Sequence, residues 1–153
     1  MVKRVLLGLL IIFVAIQFVR PSQNTSTTPP THDDFIVKFT PPDEIATLLR
    51  TGCYDCHSNN TRYPWYDRVQ PVAWWLNNHV NHGKHSLNFS IFGTYDRKRQ
   101  SKKLDQMADQ VSNREMPLDS YTWIHRDARF SDAQVQTLTD WIDAQNDKFD
   151  NQQ

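Results

Sequence analysis

Glycine is scarce in this chain, with four in 153 residues. Strand-type alternation is weak as well, and the two shortages together favour helices joined by proline-punctuated loops over a turn-rich β architecture. No charge of one sign prevails: 17 Lys and Arg face 17 Asp and Glu, so no strong field marks nucleic acid or an acidic surface as partner. Internal repeats are absent, and the length suits one domain of ordinary size. Cysteine stops at two, Cys53 and Cys56. A zinc site would need a second pair of ligands at similar spacing, and no other cysteine exists to supply it.

What is present concentrates in Cys53-Tyr54-Asp55-Cys56-His57. C-x-x-C-H is the attachment signature of c-type haem. Two thiols add across the two vinyl groups of the porphyrin, and a gap of two residues lets one helical turn present both sulfurs to its edge. The residue after the second thiol then lies under the iron, where His57 binds through neutral imidazole. A simple disulfide or a thioredoxin-like redox pair is the bland alternative, and neither needs His57. The expected second shell is a backbone carbonyl accepting from His57 Nδ1, with the chain near Pro64 or Pro71 as candidates.

The sixth iron position has several claimants. Met107 falls on an apolar helical stripe and reads as core. Met116 stands in a loop directly before Pro117, and its thioether is a soft ligand that stabilises ferrous iron. His125 is the runner-up, while His79, His82 and His85 read as solvent-exposed polar residues.

Taken in order, the chain opens with Lys3 and Arg4 before an apolar run from Val5 to Ile16 that continues to Phe18 and Val19. The run is short for a spanning helix, which needs about 20 apolar residues. No A-x-A-like site follows it, and the first cysteine is too distant for lipoprotein cleavage. The expectation is a signal-anchor transmembrane helix over residues 1–20 in the inner membrane, with the remainder facing the periplasm. A cleaved signal and a soluble periplasmic product is the alternative. Residues 21–34, rich in Ser, Thr, Asn and Pro, read as a flexible linker. The domain proper is expected over 35–147, and a disordered tail over 148–153.

Within the domain, Asp43-Glu44 and the helically spaced Ile45, Leu48 and Leu49 predict a helix ending at the motif. A second helix is predicted to open at Pro71, with Val72, Trp75, Leu76, His79 and Val80 on one face. A third carries the basic cluster Arg97, Lys98, Arg99, Lys102 and Lys103 before the stripe Leu104, Met107, Ala108 and Val111. That cluster is a solvated face or a docking patch for an acidic redox partner. Ser120 to Phe130 reads as irregular. Ser131 to Gln134 reads as a capping box for a last helix, with Val135, Leu138, Trp141 and Ile142 on its apolar face.

Several blocks carry a family resemblance. Cys53 to Thr61, Tyr63-Pro64-Trp65-Tyr66, Gln70 to Leu76, Leu87-Asn88-Phe89-Ser90, Phe92-Gly93-Thr94-Tyr95, and Glu115 to Leu118 with Ser120-Tyr121-Thr122 together resemble the bacterial haem-binding domain family found mainly in Bacteroidetes. The resemblance implies an all-α, cytochrome c-like helical domain around one covalent haem c. It also implies that Cys53 and Cys56 carry the thioethers, with His57 matching the proximal and Met116 the distal ligand. The expected function is a membrane-anchored monohaem c-type cytochrome passing single electrons to partner proteins, rather than an enzyme. A haem-based sensor or gas-binding module, or a peroxidase-like enzyme, is the rival.

Replacing both Cys53 and Cys56 with Ser should abolish covalent haem and lower the melting temperature, since a domain built around its ligand loses the stabilisation that binding supplies. A double variant that melts like the wild type would refute this, and thermal unfolding followed by circular dichroism checks it.

Overall fold

Proline and acidic punctuation becomes helix boundaries in the computed structural model, which describes residues 1–150. Helix α1 spans Val2–Ile16, α2 Phe35–Phe39, α3 Asp43–Gly52 and α4 Tyr54–His57. Then come α5 over Val72–Ser86, α6 over Arg97–Ser112, α7 over Asp119–Thr122 and α8 over Asp132–Asp150. Short 3-10 segments occur at Trp65–Arg68, Phe89–Thr94 and Arg126–Ala128, and no strand occurs among the described residues. The fold is all-α.

Two of the long helices, α6 and α8, start where a side chain satisfies free N–H groups. The Asp96 carboxylate accepts from Arg99 N at 2.8 Å to open α6. For α8, Ser131 Oγ accepts from Gln134 N at 3.2 Å while Gln134 Oε1 accepts from Ser131 N at 2.9 Å, the reciprocal capping box expected there. Helices α6 and α8 make the most extensive helix–helix contact. Leu104, Met107 and Val111 meet Val135, Leu138 and Ile142 in the core, and Ile45, Leu48 and Leu49 of α3 join them. An aromatic cluster completes that core. Phe35, fully buried, meets Phe89 and Phe92 edge-on at centroid distances of 4.9 and 4.8 Å.

Several expectations are corrected. α5 buries Ala73, Leu76 and Val80, whereas Val72 and Trp75 stay exposed, so its core face is rotated from the predicted one. The small Ala73 and Gly83 let this side approach closely, and the bulky indoles are left outside. Trp65 and Trp123 are likewise on the surface. The stretch expected to be irregular contains α7 and a 3-10 turn. Residues 148–150 continue α8 rather than forming a tail, because Phe149 packs on Phe39 at 6.0 Å. Residues 151–153 of the expected tail lie outside the described residues.

At the N-terminus the apolar run forms α1, and the linker expectation changes. α1 has 15 residues, about 22 Å at 1.5 Å per residue. No helix among the described residues is long and apolar enough to cross a membrane. The segment expected to be a mobile linker is extended but fastened along its first part. Asn77 Nδ2 donates to Ser22 O, Asn24 N to Tyr63 Oη, and Thr61 N to Asn24 O at 3.1, 2.7 and 2.9 Å. In each of these bonds the segment offers a backbone N–H or carbonyl that a side chain or amide of the domain meets, which composition alone does not reveal.

Phe35→Ala should destabilise the domain by about 3–5 kcal/mol, the usual cost of emptying a fully buried phenylalanine site. Urea unfolding with an unchanged slope is the expected reading, and a loss below about 1 kcal/mol would contradict the burial described.

Candidate haem site

The motif forms one helical turn. Cys53 closes α3 and opens α4, and its carbonyl accepts from Cys56 N and His57 N at 3.2 and 2.9 Å. Each intervening residue points to a different support. Tyr54 stacks on Phe89, with centroids 5.0 Å apart, and its hydroxyl donates to Asp34 Oδ1 at 2.9 Å. Asp55 is buried, and Arg62 grips it with Nε to Oδ1 at 3.1 Å and Nη2 to Oδ2 at 3.2 Å. Tyr121 Oη donates to Asp55 Oδ2 at 2.8 Å, and Thr61 Oγ1 donates to the Asp55 carbonyl at 2.6 Å. Burial first, then the bond to Asp55, holds the Tyr121 phenol far above its ordinary pKa, so it stays a donor.

His57 is oriented by the end of α5. A carbonyl only accepts, so the 3.1 Å contact between His57 Nδ1 and Leu87 O requires the proton on Nδ1 and leaves the Nε2 lone pair bare. This accepting carbonyl is Leu87, not the chain near Pro64 or Pro71. Burial lowers the imidazole pKa, while the Leu87 and Gly83 carbonyls oppose the shift. The ring is therefore kept in the neutral form that metal binding uses. α5 reaches this position because Gly83 lies against the motif, where an added Cβ would stand 2.7 Å from the Cys56 carbonyl oxygen.

On the far side, the exit from α6 presents Met116. Arg114 adopts a left-handed conformation, φ 61°, and reverses the chain. Glu115 N and Met116 N then both donate to Gln110 O, at 2.9 and 3.0 Å. The Arg114 guanidinium bonds Phe130 O at 2.7 Å and pairs with Asp132, which pins the loop.

Between these parts lies a cavity of about 580 Å³, within the range of roughly 300–1,000 Å³ usual for small-molecule sites. Cys53, Cys56, His57 and Met116 all line it, and Leu49, Met107, Val111, Leu118 and Leu138 provide apolar wall. Met107 is thus both core and wall. Lys103 is the one Lys or Arg among the lining residues, which suits a ligand with carboxylate side chains. His79 and His82 also line the cavity, although both read as merely solvent-exposed from the sequence. The helical offset that carries Gly83 onto the motif turns them toward it, a relation visible only once the α5 face is known.

His125 does not line it. Its ring stacks on Tyr121 at 4.0 Å, its Nδ1 donates to Tyr121 O at 3.0 Å, and its Nε2 lies 3.5 Å from the Tyr66 hydroxyl. Sequence reasoning also passed over Asp55, Arg62 and Tyr121. The signal was there in Asp55, an acidic residue inside a motif that must be buried.

The donor set fits a porphyrin. Both cysteines are free. Burial pushes the Cys53 thiol up to about 12, with Cys56 adding to it, and burial then Asp55 push Cys56 up to about 11. A thioredoxin-like pair relies on the opposite shift. Among the described residues, no group of three or more His, Cys, Asp or Glu could hold a bare metal ion. An iron ligated by one imidazole must bring further donors of its own, as a porphyrin does. The class is a helical haem-pocket protein.

The chain belongs to the haem-binding domain family, whose model matches residues 11–144. Comparisons with curated proteins and with solved structures returned no match.

Gly83→Ala should force α5 off the motif, at a cost of about 1–3 kcal/mol from overpacking against backbone. Haem content per protein should fall with it, whereas Gly8→Ala, in open space, should change neither. Full haem loading of Gly83→Ala at wild-type stability would disprove the close approach.

Proposed function

We propose that the chain is a membrane-anchored monohaem c-type cytochrome that transfers single electrons on the periplasmic side of the inner membrane. The observation that carries it is the convergence of Cys53, Cys56, His57 and Met116 on one cavity, with His57 Nε2 bare. When bound, the haem supplies a one-electron iron couple. Cys53 and Cys56 would hold it through two thioethers, each thiol adding S and H across a vinyl double bond.

His57 would bind the iron through Nε2, with Leu87 O keeping its proton on Nδ1. Met116, which lines the same cavity, would supply its thioether to the iron as the second protein ligand. The apolar wall excludes water, which limits reorganisation on electron transfer and raises the potential. A redox partner of acidic surface docks at the basic face of α6, whose Lys103 also borders the cavity. α1 is the membrane anchor, with Lys3 and Arg4 on the cytoplasmic side.

Met116→Ala tests this reading. Ferric protein should lose the far-red charge-transfer band of methionine-ligated haem, and ferrous protein should gain carbon monoxide binding. The midpoint potential should fall by on the order of 0.1 V, well inside the roughly 0.8 V that axial ligation spans. An unchanged spectrum and potential would remove Met116 from the iron. Ready carbon monoxide binding by the wild type would instead favour the sensor or gas-binding module.

A further inference from the structure

We propose that α1 and the first turn of α5 form one continuous lipid-contacting surface, so that the haem domain sits directly on the bilayer instead of hanging from it on a tether. This rests on the membrane reading of α1 given above and extends it to the orientation of the whole domain.

α1 is apolar on every side. None of its residues is buried, and its large side chains from Val5 to Val14 are 46–60% exposed. A helix apolar all round belongs in a core or in lipid, and among the described residues no element packs closely enough on this one to bury any of its side chains. Its length of about 22 Å nonetheless falls short of the roughly 30 Å hydrocarbon thickness. A bilayer-resident α1 therefore needs its apolar column prolonged, or the bilayer must thin around it.

The prolongation is present at the foot of the helix. Gln17 interrupts the apolar run, yet its amide is consumed. Its Oε1 accepts from Gln70 N at 2.9 Å, and its Nε2 donates to Phe13 O and Gln70 O at 3.0 and 3.3 Å. The Val19 carbonyl accepts from both Gln70 Nε2 and Trp74 Nε1, each at 2.9 Å. Gln70 is itself only 1% exposed. Polar groups at the foot are thus satisfied internally, the condition for placing backbone against lipid. Around them, Phe18, Val19, Val69, Val72, Trp74 and Trp75 are exposed. Water gives such a cluster nothing, whereas the membrane–water interface favours tryptophan above most residues. Arg20 and Arg68, both exposed beside it, stand where headgroup phosphates would be.

The test uses the full-length, haem-loaded protein in phosphatidylethanolamine–phosphatidylglycerol vesicles containing a phospholipid with a photoactivatable diazirine near its glycerol backbone. Flotation reports membrane residence, and mass spectrometry maps the labelled peptides. The expected result is co-flotation with label in both α1 and residues 69–75. Val72→Glu should keep flotation and α1 labelling but reduce label over 69–75 by about tenfold. Flotation with label confined to α1 would overturn the seated surface and leave the anchor reading intact. Labelling over 69–75 that survives Val72→Glu unchanged would overturn it as well. Loss of flotation in the wild type would remove the anchor and the seat together.

Discussion

A helical turn must offer two thiols and a bare imidazole nitrogen to one cavity while every other polar group on that turn is occupied, and the rest of the molecule follows from this constraint. His57 is the strictest case, because an imidazole with an uncommitted Nδ1 can flip its tautomer and turn its ring. The Leu87 carbonyl removes that freedom. It is in place only because α5 ends there, and α5 ends there only because Gly83 lets its backbone meet the Cys56 carbonyl without an intervening side chain. A longer residue at 83 would move the carbonyl away from the ring it orients.

The other side of the turn is held electrostatically. Asp55 is a buried carboxylate, and burying a charge is costly unless it is paired and hydrogen-bonded. Arg62 supplies the charge in a two-pronged geometry, and Tyr121 supplies a further donor. Arg62 is largely exposed, so the pair contributes less through Coulomb attraction than through fixing direction. Tyr121 both anchors Asp55 and lines the cavity, and this ties the motif to the segment that follows Met116. His125 is drawn into the same arrangement by stacking on Tyr121. That is the physical reason it stands outside the cavity although it follows the Met116 loop in the chain.

Much of the helical framework was legible from the residues alone. The acidic start of α3, the capping box of α8 and the stripe on α6 are local signals, and each reports a structure made from neighbours in the chain. The α5 face was read correctly at Leu76 and Val80 but misread at Val72 and Trp75, because periodicity weighs large apolar side chains most heavily. Here the small residues face inward, and Trp75 faces out. The motif announced Cys53, Cys56 and His57, since the chemistry sits in five consecutive residues. Leu87, Gly83 and Arg62 were silent because they act through backbone atoms or across a fold no local pattern encodes.

The N-terminal segment makes the same point over a longer distance. Asn24 donates through Nδ2 to Ser58 O and to Thr61 Oγ1, at 2.8 and 2.9 Å, and accepts from Lys84 Nζ on α5. Ser58 follows His57 directly, and Thr61 donates to the carbonyl of Asp55. A few residues earlier, Gln17 and Val19 are bonded to Gln70 at the opposite end of α5. The segment from 17 to 24 therefore runs alongside α5 and is fastened near both ends of it. Composition marks it as a spacer, but hydrogen bonding makes it a strut that couples α1 to the turn bearing His57. A haem domain carried this way has a fixed attitude with respect to α1, so whatever surrounds α1 also sets which face of the cavity a partner can reach.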